Sequence, residues 1–221
     1  MRKSNPYPKI FTGILVIFLF LFESYGKLDS IGNNTGNQSD KRKLEFLIAK
    51  NRPSLSEKER NQLVKATLRA SQLLEFPKRN HISYVPRVDR LGFLVGLIQT
   101  ESQFHTRAKS HKGALGLMQV MPETAKWLAK KEGISFSQTN ELYEPETNLL
   151  LGVLYLNYLM ERTDSLEATL LAYNAGLGGY KRFGGVPAYS RTVYKYYNEW
   201  KDMPIPHEIP ISETLASLIS I

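Results

Sequence analysis

Hydrophobic residues in this chain recur mostly with the spacing of helices. From Ser54, the run "SLSEKERNQLVKATLRASQLLEF" offers a serine cap and an acidic first turn. Leu63, Ala66, Ala70, Leu73 and Leu74 then form a stripe of 3.6-residue period, which Pro77 ends. A second stripe, Leu91, Leu94, Val95 and Ile98, belongs to a helix starting near Pro86. "MPETAKWLAKKEG" predicts a short helix with Pro122 in its first turn and Gly133 past its end. "EPETNLLLGVLYLNYLMER" predicts a longer one, with Leu149, Val153, Leu156 and Met160 on one face. "DSLEATLLAYNAG" is capped by Asp164 or Ser165 and stopped at Gly176, and "AYSRTVYKYYNEW" is the last strong helix. Alternating strand patterns are nearly absent. The expected fold class is therefore all-α, a helical domain over residues 55–201 followed by a tail, 202–221, with three prolines and a short apolar end.

The first residues break this pattern. Basic "MRKSNPYPK" leads into 13 largely apolar residues, Ile10 to Phe22. That is shorter than the ~17–25 residues of a usual membrane span and fits an export signal, with small residues in "SYG" before a cut at Lys27. Residues 1–26 are expected to be a signal peptide or an N-terminal anchor, the latter giving inner-membrane attachment through residues 10–22. Residues 27–54 open on "KLDSIGNNTGNQSDK", whose polar, Asn- and Gly-rich composition predicts a flexible linker.

Composition narrows the chemistry. A chain of 221 residues that is 42% hydrophobic holds one packed domain plus appendages. The net charge of +8 suits an anionic partner, but the basic residues are spread along the chain, so no nucleic acid is expected. The absence of cysteine excludes thiol catalysis, disulfides and lipoprotein attachment. Four histidines lack metal-ligand spacing, and no metal or other cofactor is expected.

One residue interrupts the second stripe. Leu94, Ile98 and Glu101 are spaced i, i+4, i+7, which puts a carboxylate on an apolar face. Burial raises the pKa of such an acid and fits it to donate a proton near neutral pH. A helix that ends here instead leaves Glu101 in a frayed, half-solvated last turn. Further on, Gly113 and Gly116 predict a tight turn presenting Leu117, Met118, Gln119, Val120 and Met121, with Gln119 as a two-sided hydrogen-bonding group among apolar neighbours. Such a turn lines a site for an amide-bearing sugar, or is a core turn in which methionines fill gaps. Leu166, Leu170 and Tyr173 share a face, so the Tyr173 ring reaches the interior and its hydroxyl requires a polar partner. The glycines after it follow a helix and match no nucleotide-binding motif.

Taken in order, "QTESQF", "GALGLMQVMPETA", "EPETNLLLGVLYL" and "LAYNAGLGGYKRF" resemble the successive motifs of the soluble lytic transglycosylase (SLT) catalytic domain, goose-lysozyme-like enzymes that cut bacterial peptidoglycan. The resemblance covers about residues 85–200 and implies a lysozyme-like helical domain with a substrate groove. It makes Glu101 the single catalytic acid/base, completed as a Glu-Ser pair by Ser102. Ser110 matches a serine beside the site, and Gln119 and Met121 match groove-lining positions. Tyr173 and Asn174 match the Tyr-Asn-Ala-Gly motif, whose tyrosine helps hold the acid and the sugar, and Tyr194 matches an aromatic of the last motif. Many members carry a Glu-Thr pair four residues before that aromatic, where this chain has Ser190 and Arg191. The implied reaction cleaves the β-1,4 bond between N-acetylmuramic acid and N-acetylglucosamine and leaves a 1,6-anhydromuramic acid end. A hydrolytic muramidase of the same fold and a catalytically silent peptidoglycan-binding protein are the alternatives. The implied partner is the peptidoglycan glycan strand, met by an exported monomer in the periplasm or cell envelope.

Overall fold

The computed structural model describes residues 35–76 and 88–210. The signal or anchor segment and residues 211–221 lie outside them. The chain divides into two units, residues 1–38 and 39–221. The first is described only where a helix begins.

That helix corrects one expectation. α1 (Thr35–Asn51) occupies most of the stretch that composition marks as linker. Polarity dominates only up to Lys43. Leu44, Leu47 and Ile48 then follow at i, i+3, i+4 and are buried, so this turn of helix is anchored by packing rather than by propensity. Among the described residues no helix is long and apolar enough to cross a membrane.

The remaining helices follow the periodicity, but the one expected to start near Pro86 begins only at Arg90, after Asp89. α2 (Glu57–Gln72) starts two residues later than a cap at Ser54 would give, because Ser56 forms the cap. Its side chain accepts from the Glu59 amide while Glu59 Oε2 accepts from the Ser56 amide at 2.9 Å. α3 (Arg90–Ser102) is buried on nearly every side. α4 (Pro122–Glu132) has proline at its first position and Gly133 in the left-handed conformation at its end. α5 (Pro145–Met160) runs through the middle. Leu149, Leu151, Val153, Leu156, Leu159 and Met160 are all fully buried, and α2, α4 and α6 pack around it. α6 (Leu166–Ala175) is capped by Ser165, whose Oγ accepts from the Ala168 amide. Two short elements carry too little periodicity to be read from sequence. They are a 3₁₀ turn at Thr139–Tyr143 and α7 (Leu177–Phe183). α8 (Pro187–Asp202) closes the described domain.

α3 and α8 make the most intimate contact. A Cβ added at Gly96 would lie 2.8 Å from the Val193 carbonyl oxygen and 3.0 Å from the Tyr197 nitrogen, so the two backbones touch there only because residue 96 is glycine. Trp200 Nε1 donates to Asp89 Oδ2 at 2.9 Å, pinning the far end of the pair. The register of α8 on α3 is thereby fixed at two points. No strand forms among the described residues. Residues 108–120 instead fold into a compact turn with two isolated antiparallel bridges, Lys109 with Leu115 and Leu115 with Val120.

Candidate active site

α3 delivers Glu101 on the face of three fully buried residues, Leu94, Leu97 and Ile98. The helix stops one residue later. Gln103 and Phe104 both take positive φ, 50° and 62°, and the Gln103 amide donates to the Ile98 and Gln99 carbonyls at 3.1 and 3.2 Å. Two consecutive left-handed non-glycine residues each cost about 1–2 kcal/mol. The fully buried Phe104 ring holds the reversal in place. Each sequence reading of Glu101 therefore contributes something. The residue does lie in the last turn, and it is nonetheless partly buried rather than frayed.

Burial sets its acidity. Withdrawal from water pushes the Glu101 carboxyl up from 4.5 to about 7, against a hydrogen bond from Tyr189 that favours the ionised form. Among the described residues no second carboxylate perturbs it. The Tyr189 hydroxyl donates directly to Glu101 Oε1. Burial first, and then the Glu101 charge, push the Tyr189 hydroxyl well above the usual phenol range, so it stays a donor throughout the pH range of interest.

Below the acid stands the turn 115–120, held by side chains from three helices. Asn148 of α5, wholly buried, donates to the Leu115 and Leu142 carbonyls and accepts from the Met118 amide, each at 2.8 Å. Ser102 Oγ of α3 donates to the Leu117 carbonyl at 2.7 Å. The Tyr173 hydroxyl of α6 donates to the Met118 carbonyl at 2.7 Å. Gly116, at φ +74°, is the point of closest approach. A Cβ there would meet the Leu142 oxygen at 2.2 Å and Asn148 Nδ2 at 2.3 Å. Gln119 is also left-handed, at φ 48°, and its Nε2 donates to the Gly116 carbonyl at 2.9 Å. One level out, Ser110 Oγ accepts from the Ala114 amide at 2.9 Å.

The structure thus sorts the expected residues. Glu101, Ser102, Gln119 and Tyr173 converge on the acid and the turn beneath it. Ser102, Ser110 and Tyr173 spend their hydroxyls on backbone of the 110–118 region. Met121 is 40% exposed at the start of α4, Asn174 is exposed at the end of α6, and Tyr194 is half-buried on α8. No hydrogen bond brings Met121 or Asn174 to Glu101 among the described residues. The role of holding the acid, which the resemblance gives to Tyr173, is met by the Tyr189 hydroxyl. Tyr173 is near enough to feel the Glu101 charge but is bonded elsewhere. Tyr189 and Asn148 are the residues that sequence reading missed. Tyr189 had one signal, an aromatic just after Pro187 at the start of a helix, and Asn148 had another, a polar residue inside an otherwise apolar run.

Part of the chain is similar to known proteins. Residues 88–187 match the transglycosylase SLT domain family. The chain is 36% identical over 89 residues to the soluble lytic murein transglycosylase of Escherichia coli K12, covering 39% of this chain and 14% of that protein. It is 37% identical over 101 residues to the membrane-bound lytic murein transglycosylase C of Haemophilus influenzae PittGG, covering 41% of this chain and 28% of that protein. Its fold is similar to that of a 70-kDa soluble lytic transglycosylase solved in complex with bulgecin A. The TM-score is 0.52 at 23% identity, over 75% of this chain and 26% of that one. Residues 88–187, a little under half of the chain, are thus similar to the transglycosylase SLT domain, and the chain spans only 14% and 28% of the length of the two murein transglycosylases it matches.

Proposed function

We propose that the protein is a peptidoglycan lytic transglycosylase that cleaves between N-acetylmuramic acid and N-acetylglucosamine and forms 1,6-anhydromuramic acid ends. One observation carries the reading. Glu101 is a carboxyl group with a pKa near 7, partnered by a phenol and, among the described residues, by no second acid.

Glycosidases that use water generally need two carboxylates, one to protonate the leaving oxygen and one to activate water or attack the sugar. Lysis by intramolecular transfer needs only one. Protonated Glu101 gives its proton to the bridging oxygen as the glycosidic bond breaks. The carboxylate then accepts the proton of the muramyl C6 hydroxyl as that oxygen attacks C1 of its own ring. Atoms balance without water, and the acid is regenerated in its starting form. The attacking hydroxyl belongs to the substrate, so no second reactant is captured, and proximity supplies a large rate factor. Tyr189 supports both halves. Its hydroxyl orients Oε1 while the acid is protonated and stabilises the carboxylate once it is formed.

Ser102, Ser110, Gln119, Met121, Tyr173, Asn174 and Tyr194 make up the proposed substrate groove. The first two and Tyr173 act by fixing its walls, and Gln119, Met121 and Asn174 by presenting exposed or half-exposed groups to the sugar. Exposed basic charge suits a polymer whose lactyl and peptide carboxylates are anionic, and the N-terminal segment suits delivery to the cell envelope.

Glu101→Gln tests the reading. It keeps the shape and the hydrogen bond to Tyr189 but has no proton to transfer. The variant is expected to remain folded by circular dichroism and to release no soluble muropeptides from purified peptidoglycan. Full release by that variant overturns the assignment of the acid.

A further inference from the structure

Gln99 is a buried polar side chain that the acid site does not use. It is only 7% exposed, and among the described residues its carboxamide makes no hydrogen bond within the protein. Such a group is unfavourable when left dry and unpaired. Gln99 lies two residues before Glu101 on α3, about 200° around the helix. The two side chains therefore leave opposite sides of the same helix.

Gln99 faces a pocket of about 810 Å³ walled by α1, α3 and α8. That volume falls within the roughly 300–1,000 Å³ of small-ligand sites. The rings of Phe46 and Tyr196 line it, and charges of both signs, Lys50 and Lys195 with Glu199 and Asp202, surround it. Lys195 and Glu199 approach only to 3.9 Å and are both well exposed, so their pairing is weak and both remain available to a ligand.

We propose that this pocket binds a short zwitterionic peptide. A carboxamide offers N–H donors beside a carbonyl acceptor, which is the complement of a peptide group, and Gln99 is the buried group that needs such a partner. Carboxylates of the ligand meet Lys50 and Lys195, its amine meets Glu199 and Asp202, and its side chains lie on the two rings. Glu199 and Asp202 repel a polyphosphate, and a neutral sugar leaves all four charges without partners. Assigning the peptide to the stem peptides of the wall polymer rests on the proposed function. The pocket and its preference for a zwitterionic peptide do not.

Isothermal titration of the full chain with the sugar-free tetrapeptide L-alanyl-γ-D-glutamyl-L-lysyl-D-alanine tests this, with acetyl-tetraalanine amide as the uncharged control. Saturable one-to-one binding of the tetrapeptide is expected, weakened at least tenfold in Gln99→Leu and in Lys195→Ala/Glu199→Ala, and unchanged in Glu101→Gln. The rim pair is exposed, so that double variant keeps the test intact if Gln99→Leu fails to fold. Four results overturn the proposal: no saturable binding, equal binding of the uncharged control, unchanged affinity in the pocket variants, or loss of binding in Glu101→Gln. Muropeptide release by the same preparation is measured in parallel. An active protein that ignores the tetrapeptide overturns the pocket alone, and an inactive protein that binds it overturns the proposed activity alone.

Discussion

At the scale of the residue, the proposed chemistry turns on the proton of Glu101. Its carboxyl is pushed up to about 7 by burial, so the folded protein holds a proton that the unfolded chain has already released above pH 4.5. Stability attributable to this residue therefore falls as pH rises through the window from 4.5 to about 7, by on the order of 3 kcal/mol. Glu101→Gln is expected to abolish this slope and to be more stable than the parent at pH 8, which urea melts at pH 5 and pH 8 would show. Activity should decline above about pH 7 as the donor is lost. Tyr189→Phe removes the bond that favours the ionised form, so the alkaline limb should move upward while the rate falls about tenfold. A pH profile separates this from simple damage, which would lower the rate without moving the limb. Glu101 was legible because a carboxylate on an apolar stripe breaks a rule of helix patterning. Tyr189 was not, because it lies 88 residues away and periodicity along one helix says nothing about which ring of another will reach it.

At the scale of the element, the turn 115–120 is defined by what grips it. Three helices send Asn148, Ser102 and Tyr173 to its backbone. Asn148→Ala leaves the Leu142 carbonyl and the Met118 amide buried without their partner, and a loss of roughly 2–5 kcal/mol is expected by chemical denaturation. Activity should fall further than folding alone explains, because Gln119 rides on the same turn. The contact of α3 with α8 is equally specific. Gly96→Val forces the Val193 carbonyl away and should cost about 1–3 kcal/mol while loosening the Tyr189 bond to Glu101. The glycine spacing around residue 116 announced a tight turn. Its three anchors were hidden, since Asn148 sits in a run of leucines where nothing local marks it as a bond-maker.

At the scale of the whole molecule, the all-helical architecture was readable because four of its helices, α2, α3, α5 and α6, repeat apolar residues at 3.6-residue spacing over about two turns or more. α1 was missed for a physical reason: its polar first half resembles a linker, and only the short apolar cluster at Leu44, Leu47 and Ile48 docks. Deleting residues 1–52 uncovers the partners of those three side chains and should lower stability by at least about 4 kcal/mol, seen as a large drop in the midpoint of thermal unfolding. The Tyr189–Glu101 pair and the pocket on the other side of α3 both depend on the packing of α3 against α8. The account as a whole rests on one carboxyl group sufficing for cleavage. Digestion of purified peptidoglycan by the intact protein, followed by mass spectrometry of the released fragments, tests that most directly. The account predicts muramyl ends one water lighter than hydrolysed ends. Fragments carrying only hydrolysed ends, or no fragments at all, would contradict it.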